Sequence, residues 1–142
     1  VQTFAVVDGD LVLSSGTLLT VFGANKVKQD LYFALHEDYG TDRYHPLWGS
    51  ILGRFIGQPL TASTRQSVLN EVQRVLRNYM SVQADQVNAS STQNTKGTVA
   101  TSEVVSSIEA ITVNNVGDNL LISVTLQTMA GQTLTLQRQV TS

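Results

Sequence analysis

The sequence predicts an α+β fold, and three observations carry that prediction. Apolar residues recur at helical spacing from Val27 to Leu35 and again from Val68 to Tyr79, then alternate strictly from Leu120 to Leu126 and from Leu134 to Val140. Turn-forming dipeptides, Asp8-Gly9 near the start and Ala130-Gly131 near the end, sit between apolar runs where hairpins would reverse. A length of 142 residues suits one domain with one core, and no cysteine is present to staple it. Residues 1–142 are therefore expected to form a single unit: a short N-terminal β-hairpin, two main helices plus a short one, and a C-terminal three-stranded antiparallel meander.

In FAVVDGDLVL, Phe4, Val6, Leu11 and Leu13 flank the Asp8-Gly9 turn and predict the hairpin. Gly16 and Gly23 punctuate a second apolar run. Over about 25–39, Val27, Leu31, Ala34 and Leu35 share one helix face, with Asn25 as the expected N-cap and Gly40 as the residue able to take the left-handed C′ position. The run WGSILGRFIG predicts a short helix burying Trp48, Leu52, Phe55 and Ile56. Beyond Pro59, Thr61 or Ser63 can cap a second helix, the latter with Gln66 in a capping box, and Val68, Leu69, Val72, Val75, Leu76 and Tyr79 form its core stripe. Residues 81–102 lose periodicity and fill with small polar side chains, which predicts a helical start that decays into a mobile segment. IEAITV, NLLISVTLQT and TLTLQRQV then read as the three strands of the meander.

Composition narrows function. The formal charge of -2, from 9 basic and 11 acidic residues, offers no field for a nucleic-acid backbone. Without cysteine there is neither a thiolate nucleophile nor a cysteine zinc site. The chain contains no GxSxG, GxGxxG or Walker pattern, and no cofactor is expected. The N-terminal run is broken by Asp8, Gly9, Asp10 and Gly16 and resembles neither a signal peptide nor a membrane span.

EDYGTDRYHPLWGS, residues 37–50, concentrates the side chains an enzyme would use. Glycosidases need two carboxyl groups about 5–5.5 Å apart for retention or about 6.5–9.5 Å apart for inversion, one with a raised pKa, and Glu37 with Asp42 is the candidate pair here. His36 and His45, with Asp38 or Asp42, are the candidate metal ligands, although no HExxH spacing exists. The structural alternative makes the segment a packing junction: Gly40 ends a helix, Pro46 stiffens the crossing, and Trp48 with Gly49 anchors the turn.

The order of motifs carries a resemblance. DGDLVLSSG, then VKQDLYFALHEDYGTDRYHPLWGSILGRFIG, then a capped helix and three strands resembles the lysozyme-like baseplate wedge protein family of bacteriophage tails and related contractile injection systems. The matching residues are Gly9, Asp10, Leu11, Gln29, Leu31, Gly40, Pro46, Trp48, Gly49 and Leu52. Members often carry a Glu-Pro-Arg turn before the meander; here the only prolines are Pro46 and Pro59, and residues 81–102 occupy that place. The resemblance implies a structural, non-enzymatic virion protein, assembled in a ring in the host cytoplasm. Its implied partners are other wedge subunits and sheath or tail-tube proteins. Pairing is expected at a C-terminal strand edge marked by Leu120, Ile122, Val124, Leu134, Leu136 and Val140. A head-to-tail connector and a peptidoglycan-cleaving glycosidase using Glu37 and Asp42 are the alternatives.

Overall fold

The computed structural model describes residues 2–93 and 99–141. Its first segment holds six two-residue strands: β1 (Thr3–Phe4), β2 (Val6–Val7), β3 (Asp10–Leu11), β4 (Leu13–Ser14), β5 (Thr17–Leu18) and β6 (Thr20–Val21). The expected hairpin is β2 against β3, and Asp8 (φ 52°) and Gly9 (φ 87°) both take the left-handed conformation such a tight turn demands. A second hairpin, β4 against β5, repeats this chemistry at Ser15 (φ 50°) and Gly16 (φ 79°), while β1 closes on β6. At the centre the Ala5 N–H donates to the Leu19 carbonyl (2.8 Å), Leu19 N–H to Val12 (2.9 Å), and Val12 N–H to Ala5 (3.0 Å). Ala5, Val12 and Leu19 are spaced seven residues apart, so a short internal repeat closes into a three-leaved trefoil.

Helix α1 (Gly23–His36) begins two residues before Asn25, which is an exposed residue of its first turn. Phe22 occupies the N-cap position without a side-chain cap; the Gly23 N–H is instead taken by the Glu103 carboxylate (3.1 Å), an acceptor contributed from far along the chain. At the other end Glu37 is extended, so the helix stops there and Gly40 is not its C′ residue. Val27, Leu31, Ala34 and Leu35 are buried, as their spacing predicts.

The short helix is a 3-10 turn, Leu52–Phe55. It buries Leu52 and partly buries Phe55, but Ile56 is 56% exposed, contrary to expectation, because the chain turns extended at that residue. Helix α2 (Ala62–Gln93) is capped by Thr61, whose hydroxyl accepts the Thr64 N–H at 3.2 Å. The Ser63 capping box does not form: Ser63 lies inside the helix and the Gln66 amide donates to Asn70 (3.0 Å). Val68, Val72, Val75, Leu76 and Tyr79 are buried and Leu69 partly so. The helix also continues through Gln93, further than the loss of apolar periodicity after Ser81 suggests. Residues 94–98 of the expected polar loop lie outside the described residues.

Strands β7 (Val105–Val116), β8 (Asn119–Thr128) and β9 (Thr133–Thr141) form the antiparallel meander in the order β7-β8-β9. Leu120, Ile122, Val124 and Leu126 of β8 join Leu134 and Val140 of β9 in one core with both helices. Because β8 is central, Leu120, Ile122 and Val124 are not edge residues, and with exposures of 0–1% their side chains are taken up by the chain's own core. Leu134, Leu136 and Val140 do lie on an edge strand, yet their side chains turn into the core. The edge that a partner could reach is backbone.

Candidate functional site

Two places combine accessibility with unusual chemistry: the loop 37–50 and the outer edge of β9. The loop is zipped at its mouth. Ser50 N–H donates to the Glu37 carbonyl (2.8 Å), Tyr39 N–H to Ser50 (3.0 Å), and Gly40 N–H to Trp48 (3.2 Å). Ser50, 2% exposed, also sends its hydroxyl to the Leu35 carbonyl at 2.7 Å, tying the loop to the end of α1. Gly49 has φ 91°, and a Cβ there would lie 2.7 Å from the Asp38 carbonyl oxygen, so only glycine lets the two limbs approach.

A clamp on α2 holds this mouth. Arg74 donates to both oxygens of Glu71 (2.7 and 2.9 Å) and to the Gly49 carbonyl (2.9 Å), and its guanidinium lies 4.7 Å over the Tyr39 ring. Glu71 takes the Ile51 N–H (2.9 Å), and the Asn78 amide donates to Leu47 (3.2 Å). Burial would push the Glu71 carboxyl up, but the Arg74 hydrogen bonds and the Ile51 N–H more than offset it and hold the group below the usual glutamate range. Neither Glu71 nor Arg74 stood out in the sequence. Their one signal is a carboxylate at Glu71 beside Val72, inside an apolar stripe.

Of the predicted junction residues, Trp48 is half-buried, its ring centroid 6.1 Å from that of Tyr79, while Pro46 is exposed. Glu37 lines a cavity of about 870 Å³ between α1, the 44–48 limb and α2, together with Asp30, His45, Trp48 and Glu103. Asp42 is not among its lining residues. The Asp42 carboxylate instead accepts the His45 ring Nδ1 (2.9 Å) and the Tyr44 N–H (2.8 Å), and these bonds lower its pKa, the reverse of what a general acid needs. His36 Nδ1 is engaged with the Tyr32 carbonyl at 2.7 Å. Among the described residues no group of three His, Asp or Glu side chains is placed to hold a metal ion.

The β9 edge contrasts with this closed loop. Thr133–Thr141 pairs with β8 along one side, and among the described residues no strand lies on the other. Between Asn119 and Thr141 the chain carries one charge, Arg138, and neither lysine nor proline. No described helix is long and apolar enough to cross a membrane.

Neither known protein families nor curated proteins match this sequence. In fold the chain is similar to a crystal structure from Geobacter sulfurreducens provisionally assigned as a tail lysozyme. The TM-score is 0.57 with 13% sequence identity, over 93% of this chain and 96% of that one, so what the two share is the fold.

Proposed function

We propose that this chain is a structural protein of a phage tail, a baseplate wedge component that joins neighbouring subunits and starts sheath or tail assembly by accepting a strand on β9. The open edge of β9 carries the reading. Nine residues without a partner on one side, and without the lysine or proline that commonly blunts an edge, present a ladder of roughly 30 Å. The motif order around Gln29, Pro46, Trp48 and Gly49 and the fold shared with the Geobacter protein support a tail context. A role without turnover is supported by the loop: Asp42 is committed to a local turn and does not line the cavity that Glu37 lines. Such a protein would be carried in the virion as one ring of copies.

Immunogold labelling of intact particles with an antibody against this chain tests the placement. The expected result is label confined to the baseplate end of the tail. Label at the head-tail junction supports a connector, and particles free of label overturn the proposal. Cell-wall hydrolysis by the purified chain that is lost in Glu37→Gln would overturn the non-enzymatic reading.

A further inference from the structure

Arg138 is out of keeping with its strand. It lies on the same face of β9 as Leu134, Leu136 and Val140, between apolar neighbours, and is the one charge in β8 and β9. Its Nε and Nη1 are buried and make no hydrogen bond. Tyr32 and Asp38 are near enough to act on the guanidinium electrostatically, but neither bonds to those nitrogens, and burial lowers the pKa. A guanidinium with buried unmet donors costs the isolated domain stability that an apolar side chain of similar size would not. On an edge strand, an inward charge also discourages indiscriminate pairing.

We propose that Arg138 selects the strand that docks on β9: the partner is a segment carrying a carboxylate in register with Arg138, which the guanidinium binds as the new strand closes over it. This rests on the strand-accepting reading of β9. An added strand would bring its own inward side chains beside Leu136, Arg138 and Val140, so a Glu or Asp there can take the now-buried N–H groups as the guanidinium swings toward the edge, whereas Lys brings a second cation beside it. A second copy of this chain fits poorly. The other outer strand, β7, has a single acid, Glu109, which stands exposed in a bulge between Ile108 and Ala110 and bonds to Ser107, away from the face that Ile108 and Ile111 bury. The occupant is therefore a different polypeptide, and its inward carboxylate is the recognition element.

The test supplies the strand within the full chain. After Ser142, a two-residue Asn-Gly turn and an alternating Thr/Val strand are added, with the residue in register with Arg138 set to Glu, Gln or Lys. Amide exchange along β9 reports whether the strand has paired, and thermal unfolding reports the preference. The expected order of Tm is Glu, Gln, Lys, with Glu above Lys by about 5 °C, and the spread falls below about 1 °C when Arg138→Gln is introduced. Paired strands with equal Tm for Glu and Lys, or a Glu preference that survives Arg138→Gln, overturn the role of Arg138 and leave the edge reading intact. No new protection on β9 in any version overturns both. In the unextended chain Arg138→Gln is expected to leave Tm unchanged or raise it; a fall of more than about 3 °C shows that the guanidinium is already satisfied and overturns the selection.

Discussion

At the scale of single residues, the loop 37–50 shows how the same side chains serve packing or catalysis according to what holds them. Gly49 was legible in the sequence as punctuation, but not as the point where two backbone limbs touch, since that depends on the Asp38 carbonyl across the loop. Gly49→Ala introduces a Cβ against backbone at a left-handed φ, and its expected cost is about 2–3 kcal/mol, read as a lower urea midpoint with an unchanged m-value. Glu71 and Arg74 were not legible, because an acid within an apolar stripe looks like ordinary helix surface until its partners arrive from Gly49 and Ile51. The folded Glu71 carboxyl has a lowered pKa, so its contribution is present above the unfolded value of about 4.3 and is lost as pH falls through the lower folded value. Arg74 is 39% exposed, and solvent screening reduces the pair to about 0.5–1 kcal/mol. Chemical denaturation from pH 7 to pH 3 is expected to show that loss in the native chain and a shallower one in Glu71→Gln; identical slopes would remove Glu71 from the account.

At the scale of elements, helices and strands whose apolar faces repeat were readable, and their ends were not. Asn25 and Gly40 satisfy the local rules for caps, yet α1 starts where the distant Glu103 carboxylate takes the Gly23 N–H and stops at Glu37, which turns extended and whose carbonyl takes the Ser50 N–H from across the loop. The extension of α2 to Gln93 was hidden because residues past Ser81 have little apolar face, although a helix already anchored by Val68–Tyr79 propagates at low cost. The trefoil was half legible: Asp8-Gly9 announced one turn, while the equivalent Ser15-Gly16 turn shows only once the spacing of Ala5, Val12 and Leu19 is seen. Gln29 couples this element to the body, accepting the Val6 N–H (2.9 Å) and donating to the Phe4 carbonyl (2.8 Å). Phe4, Val7, Leu13 and Phe22 are each more than half exposed, so few apolar contacts of the trefoil duplicate that link. Gln29→Ala is expected to cost about 1 kcal/mol overall and to speed exchange of the Val6 amide at least tenfold while leaving Leu31 protected; unchanged exchange at Val6 would show that the trefoil is held by its own ring of hydrogen bonds.

At the scale of the whole molecule, the sheet divides its duties between side chains and backbone, and this decides how an assembly role must be tested. Removing residues 132–142 takes Leu134 and Val140 out of the core, where they are 5% and 3% exposed, and turns β8 into an edge. Missing sheath after such a deletion therefore follows from misfolding as readily as from a lost edge, with each buried aliphatic side chain contributing about 1.5–3 kcal/mol. Covering the edge separates the two. The chain extended by its own fourth strand keeps every core residue, leaves the trefoil and the 37–50 loop unchanged, and satisfies the backbone groups a partner would use. It is expected to fold with a Tm at or above that of the native chain and, if the proposed wedge role holds, to enter the baseplate through its other surfaces. Tails assembled with it are expected to lack sheath in electron micrographs, with baseplates present. Sheathed tails of normal length from a chain whose β9 amides are demonstrably protected would show that assembly does not start on β9, and the search for the partner surface would move to the exposed apolar residues of the trefoil.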